Sequence, residues 1–220
     1  MAIEERYPVI IQAALEIFAR RGYHQASTRE IARAADLSLA GLYHYVGSKE
    51  ELLFLVIDRA LDHLLASLDN ALALAHAPEE KLLSLIHTHL DFGFHHGAAL
   101  KVVNRDIEAL ADPHRTEAAQ KRHSYLLRGI EVLRALDSHG RSPDELLDAI
   151  NLLLGMLNGI ATRPFLKRRE DDRTLTAEVG NLFLRGFLGT AEPSTEEASH
   201  VTVASHAGVA SHVSAGSRAN

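Results

Sequence analysis

The chain contains no cysteine, no tryptophan and only two methionines among its 220 residues. Without thiols it can build neither a disulfide framework nor a thiolate metal centre. That absence fits a reducing compartment. Long uncharged apolar runs are also missing. No stretch approaches the ~20 residues of a membrane-spanning helix, so no membrane partner is expected. The opening MAIEERYP is acidic and then amphipathic, with no apolar signal core, and a cytoplasmic location is the expectation. Period-two alternation over strand length is absent too, which leaves an all-α chain of about nine helices. Basic charge is scarce overall, at a formal net charge of -6. It is not scarce everywhere. Residues 1–49 hold Arg6, Arg20, Arg21, Arg29, Arg33 and Lys49 against Glu4, Glu5, Glu16, Glu30 and Asp36, so the negative balance lies in the remainder.

What is present is helical periodicity with clear punctuation. Val9, Ile10, Ala13, Ala14, Ile17 and Phe18 recur at three- and four-residue steps and predict a helix over 4–21, closed by Gly22. Ser27 with Glu30 reads as a capping box for a short second helix through Ile31, Ala32 and Ala35. Asp36-Leu37-Ser38 breaks that run, and Leu39 to Tyr45 resumes it. Ser48 with Glu51 opens a strongly apolar helix over 48–75. Pro78-Glu79 starts the next, to about His96. Further helices are expected over 98–110 and 113–138, then from the Ser142-Pro143-Asp144-Glu145 start signal through Ile160, and over 174–189. Residues 190–220 are poor in large apolar side chains and read as a disordered tail. They repeat Ala-Ser-His at 198–200, 204–206 and 210–212, a repeat without a functional account.

Two short helices at a steep angle, joined by a few residues, form a helix-turn-helix, whose second helix fits the major groove of DNA. The residues Thr28, Ile31-Ala32, Leu37-Ser38, Leu42-Tyr43-His44 and Gly47-Ser48-Lys49-Glu50-Glu51-Leu52 resemble the DNA-binding domain of the TetR (tetracycline-repressor-like) family of transcription regulators. Ala13-Ala14, Ile17-Phe18 and Arg21-Gly22-Tyr23 match the preceding helix of that domain and its glycine exit. The resemblance covers about the first quarter of the chain. It implies a DNA-binding domain over 1–47, a helical effector-binding and dimerisation domain over 48–189, and the tail at 190–220. The implied partners are double-stranded operator DNA, a second copy of the chain and a small-molecule effector, with no cofactor and no catalytic residue.

By the same resemblance, Thr28, Tyr43, His44 and Lys49 meet backbone phosphates, and Ser38, Leu39, Ala40 and Tyr45 complete the groove face. Two tyrosines two residues apart cannot both face inward on a helix, so at least one is exposed. The sequence departs from the family pattern at Leu39, Ala40 and Val46. Leu39 cannot hydrogen-bond a guanine edge but can touch a thymine methyl. The apolar helix after Ser142 carries Gly155 and Gly159 four residues apart. The family's last two helices pair with their copies, which implies a dimer interface of Gly155, Gly159, Phe183 and Phe187.

His87, Asp91 and His95 share one helix face at steps of four. They are read as residues of the effector pocket, with a metal ion as the alternative occupant. Phe94, Arg105 and Asn158 are further pocket candidates, and His89 and His96 are read as pointing elsewhere. Asn104 to Leu110 and Gly155 to Asn158 also resemble members of the family that sense acyl thioesters. The effector is therefore expected to be small and apolar, or acyl-thioester-like. A di-metal carboxylate enzyme would need Glu-x-x-His pairs on two helices, and the chain has that spacing only at Glu197–His200. A helical partner-binding module without DNA affinity is the other competitor.

Overall fold

A computed structural model describes residues 3–162 and 172–189. Among them every regular element is helical: α1 (Ile3–Arg21), α2 (Thr28–Ala34), α3 (Leu39–Tyr43), α4 (Lys49–Leu74), α5 (Pro78–His95), α6 (Gly97–Asp106), α7 (His114–Leu136), α8 (Pro143–Ala161) and α9 (Asp172–Leu188). A single 3-10 turn, Ile107–Ala109, follows α6. The tail with its Ala-Ser-His repeats and Glu197–His200 lies outside the described residues.

The first three helices close on a small core. Ile10, Ala14, Ile17 and Phe18 from α1 meet Ile31, Ala32, Ala35, Leu42 and Val46, all buried. Val46 fills its position despite its small volume. The turn between α2 and α3 is a Schellman closure: the Leu37 N–H donates to the Ala32 carbonyl (2.8 Å) and the Asp36 N–H to that of Arg33 (3.1 Å). Asp36 takes the left-handed conformation this closure requires, at φ 54. Ser38 then caps α3, its Oγ accepting from the Gly41 N–H at 3.0 Å. The expected box at Ser27 does not form; Ser27 makes no side-chain cap bond. Glu30 instead pairs with Arg20 (3.1 Å) and Arg21 (3.0 Å) of α1. The later start signals behave as read. Ser48 accepts from the Glu51 N–H, and Ser142 and Glu145 cap each other.

α4 joins this unit to the larger bundle. Leu52, Leu53, Val56, Ile57, Ala60, Leu61, Leu64 and Leu68 are all buried along it. It packs on α1, α5, α6 and α7, so the expected boundary at 47/48 marks the cap of α4 rather than a gap in packing. α5 lies against α4, α7, α8 and α9. Helices α7 and α8 approach closely at Gly129, where a Cβ would come within 2.5 Å of the Ile150 side chain. From the last turn of α6, Arg105 reaches back to α1. Its guanidinium donates to the Phe18 carbonyl at 2.5 Å and is held by the buried Asp106 carboxylate at 2.7 Å. A cation at those carbonyls also complements the negative end of the α1 dipole.

Asp36 offers a direct stability test. A non-glycine residue in the left-handed region costs about 1 kcal/mol, partly offset by glycine's larger chain entropy. Asp36→Gly is expected to raise the denaturation midpoint by up to about 1 kcal/mol of stability, and Asp36→Val to lower it by more. Urea unfolding followed by circular dichroism checks both.

Candidate nucleic-acid interface and effector cavity

The α2–turn–α3 unit presents a short surface helix. Leu42 anchors α3 from beneath, while Ala40, Tyr43 and His44 face solvent and Tyr43 is 46% exposed. The Tyr43 hydroxyl lies 3.5 Å from Thr28 Oγ1, which puts two hydroxyl groups on one outer edge. Tyr45 is half-buried and packs edge-on against His44, with ring centroids 5.9 Å apart. The expected helix over Leu39 to Tyr45 is shorter, because His44 already closes it as the C-cap of α3. Ser38 spends one lone pair on its cap, and Leu39 is half-buried.

Lys49 departs from the phosphate-facing role expected of it. Its ammonium donates to the carbonyls of Tyr23 (2.9 Å) and Ala26 (3.2 Å) and sits 4.5 Å from the centre of the Tyr23 ring. Three-donor chemistry on a flexible stem lets it tie the α1–α2 loop to the start of α4. Two basic residues outside the motif, both on α2, offer free cations instead. Arg29 and Arg33 are exposed, make no ion pair among the described residues, and border a groove shared with Ser38 and Leu39. The sequence signal for them was their four-residue spacing on α2.

The second site is a cavity of about 200 Å3 between α4, α5, α6, α7 and α8. Of the pocket candidates, only Asn158 lines it. His87 is exposed and lies 3.5 Å from Thr176 of α9, while His95 pairs with Asp91 at 3.0 Å on the surface. No cluster of metal-ligand residues forms among the described residues, so the metal alternative is not supported at His87, Asp91 and His95. Phe94 is half-buried and away from the cavity lining, and Arg105 is committed to the end of α1. His89, read above as pointing elsewhere, also lines the cavity. It is 3% exposed, with Nδ1 3.0 Å from the Tyr125 hydroxyl and Nε2 3.2 Å from Asn158 Oδ1. Asn104 Nδ2 donates to the same oxygen at 3.0 Å. Counting helix faces would have found His89, since it falls with Leu82, Leu85 and Ile86 on the inward side of α5.

Of the interface candidates, Gly155 and Gly159 face open space. Phe187 does not: it is 7% exposed, stacked on Phe183 and covered by the Arg141 guanidinium at 4.2 Å. It is therefore a core residue of this chain, not a free anchor. The exposed apolar residues on α8 and α9 are Leu147, Leu152 at 74% and Leu182 at 66%.

Burial lowers the His89 imidazole from 6.5 to about 4, only partly opposed by its bond to Asn158. Between those values the folded chain binds fewer protons than the unfolded one. The stability this gives is present above the unfolded value and is lost as pH falls through the folded one. The full loss is about 3 kcal/mol. Denaturation midpoints of the wild type are expected to fall steeply from about pH 6.5 to about pH 4. His89→Gln, which keeps hydrogen-bonding atoms but does not titrate, should show a shallower fall over the same range.

Two family models match the chain, and together they span more than half of it. One describes bacterial regulatory proteins of the tetR family and matches residues 10–56; the other describes the tetracyclin repressor-like C-terminal domain and matches residues 75–162. Among curated relatives, the transcriptional activator FasR of Mycolicibacterium smegmatis is 32% identical over 100 residues, 46% of either chain. The chain spans about half the length or less of the first curated relatives it matches. Among solved structures, a TetR-family transcriptional regulator from Bordetella parapertussis 12822 is 25% identical with a TM-score of 0.76, covering 84% of this chain and 96% of that one. AibR, solved with isovaleryl coenzyme A and operator DNA, shares the fold at 21% identity and a TM-score of 0.71, covering 80% of this chain and 97% of its own. The helix order, the outward α3 and the two matched segments agree, and the chain belongs to the tetR family of bacterial regulatory proteins.

Proposed function

We propose that the chain is a homodimeric, effector-responsive DNA-binding regulator of transcription, acting as a repressor at a two-fold operator. Residues 1–47 read DNA, and 48–189 hold the effector and the second copy. The observation that carries this reading is the presentation of α3: Leu42 is sunk in the core while Ala40, Tyr43 and His44 stand outward. Tyr43, Thr28 and His44 serve as phosphate contacts, joined by Arg29 and Arg33. Ser38, Leu39 and Ala40 face base edges, and Leu39 favours a thymine methyl. Lys49 supports the head from inside.

A second copy covers the exposed Leu152, Gly155 and Gly159 of α8 and the exposed Leu182 of α9. Leucines this exposed, on two helices that both pack on α5, favour burial against a symmetry-related copy. The effector, a small apolar or acyl-thioester-like molecule, occupies the cavity around His89 and Asn158. It acts by preferring one packing of α4 and α6 over the other, and so one separation of the two heads. No described helix is long and apolar enough to cross a membrane.

The competing reading, a partner-binding module without DNA affinity, makes opposite predictions for the head. A gel shift on DNA flanking the chain's own gene is expected to show a dimer–DNA complex. Tyr43→Ala should weaken it by about 1–2 kcal/mol, with the melting curve unchanged. Arg29→Ala and Arg33→Ala should each reduce the slope of log affinity against log salt by about 1 per head. A folded dimer that ignores this DNA and every palindrome in a random-site selection would overturn the reading.

A further inference from the structure

Resting on the effector reading above, we propose a chemical class for the cavity's occupant. It is a short acyl derivative whose neutral carbonyl oxygen is received by the Asn158 amide and whose anionic carrier leaves past Arg122.

The argument begins with the protons on the cavity floor. Asn158 Oδ1 can only accept, and it already takes a hydrogen bond from Asn104 Nδ2. The His89 Nε2 facing it must therefore carry the proton. Nδ1 is then bare and accepts the Tyr125 hydroxyl proton. The chain of bonds, buried at Tyr125 and His89 and reaching the surface at Asn104, is complete in itself, with no formal charge. What it leaves open is Asn158 Nδ2, whose two N–H bonds have no partner among the described residues, on a side chain that is not fully buried. The group that matches is an uncharged acceptor oxygen. A carboxylate at that amide would surrender its hydration to neutral donors alone, since the lining cation, Arg122, stands at the exit.

Size sets the chain length. Leu61, Leu64, Leu100, Val103, Leu126 and Leu154 wall a space of about 200 Å3. That lies below the roughly 300 Å3 at which sites for drug-sized ligands begin, enough for a chain of a few carbons and too little for a long fatty chain. The exit sets the carrier. Arg122 and Leu126 line both this cavity and an adjoining outer groove of about 530 Å3. Arg115 in that groove is held by Asp112 at 3.2 Å. Arg122 is exposed, makes no ion pair among the described residues, and has His123 beside it. Glu108 is the groove's acid without an ion pair among the described residues, so an anion settles at the Arg122 end.

Isothermal titration of the full chain with isobutyryl-coenzyme A, palmitoyl-coenzyme A, coenzyme A alone and sodium isobutyrate tests the assignment. Isobutyryl-coenzyme A is expected to bind about tenfold or more tighter than each of the others. Asn158→Asp keeps the oxygen that Asn104 and His89 use and removes the two open donors. It should weaken isobutyryl-coenzyme A by about tenfold. Arg122→Ala should weaken it and flatten its salt dependence. The proposal is overturned if palmitoyl-coenzyme A binds as tightly, if free isobutyrate matches its ester, or if folded Asn158→Asp binds as wild type. Should Asn158→Asp not fold, the four-ligand series on the wild type decides alone. The gel shift separates this proposal from the reading it rests on. A chain that shifts DNA but binds none of the four loses the acyl assignment and stays a regulator. A chain that binds the ester but no DNA does the reverse.

Discussion

The structure depends on one apolar stripe being buried in two places at once. Leu52 and Leu53, at the start of α4, belong to the core that α1 closes; Leu64 and Leu68, three turns on, belong to the bundle core against α5 and α7. Each fully buried leucine contributes about 2 kcal/mol, so neither end of α4 can lift away without a cost comparable to the stability of a small domain. The helix therefore behaves as a beam. A close-packed interior does not deform continuously but repacks between discrete arrangements. Any change in bundle packing that tilts α4 carries the head with it.

α6 supplies a second connection, and its economy lies in adjacent residues. Asn104 bonds Asn158 in the cavity wall, while Arg105, the next residue, grips the last carbonyls of α1. Asp106 fixes that guanidinium from the buried side. Losing Arg105 would leave the Asp106 carboxylate buried and unpaired, which is far costlier than losing a surface ion pair. The pair is thus a structural commitment of the body to the head. On the proposed reading, an occupant that displaces Asn104 acts on the helix that holds α1. It biases the head only to the extent that it binds the two packings differently.

Much of this was legible in the sequence because the local signals and the tertiary fold agree. Ser142-Pro143-Asp144-Glu145 starts a helix wherever it stands, and Ser48 with Glu51 does the same. Ser27 and Glu30 carry an equally good local signal, yet Arg20 and Arg21 from a different helix claim the glutamate. Lys49, Arg105 and Phe187 make contacts that no local signal shows, for a similar reason. Each has a partner distant in sequence: the Tyr23 and Ala26 carbonyls, the end of α1, and Arg141. His89 was missed differently. The eye-catching i, i+4, i+8 row of His87, Asp91 and His95 lies on the outer face of α5. The isolated histidine on the apolar face, which must find partners to be buried at all, marks the cavity.

The long-range ion pairs also bear on how a chain of net charge -6 would hold DNA. Arg20 and Arg21 are matched by Glu30, Arg6 and Lys49 donate to backbone carbonyls, and among the described residues what stays open on the head is Arg29 and Arg33. A head with so few free cations releases few counterions, so one copy alone binds weakly. Two heads on one rigid dimer gain by effective concentration instead, and that gain exists only while both reach their half-sites together. Sparse charge on the head therefore makes affinity a function of head spacing. On the proposed reading, spacing in turn is what α4 and α6 transmit. A strongly basic head would hold DNA through either packing and would leave an effector little to change.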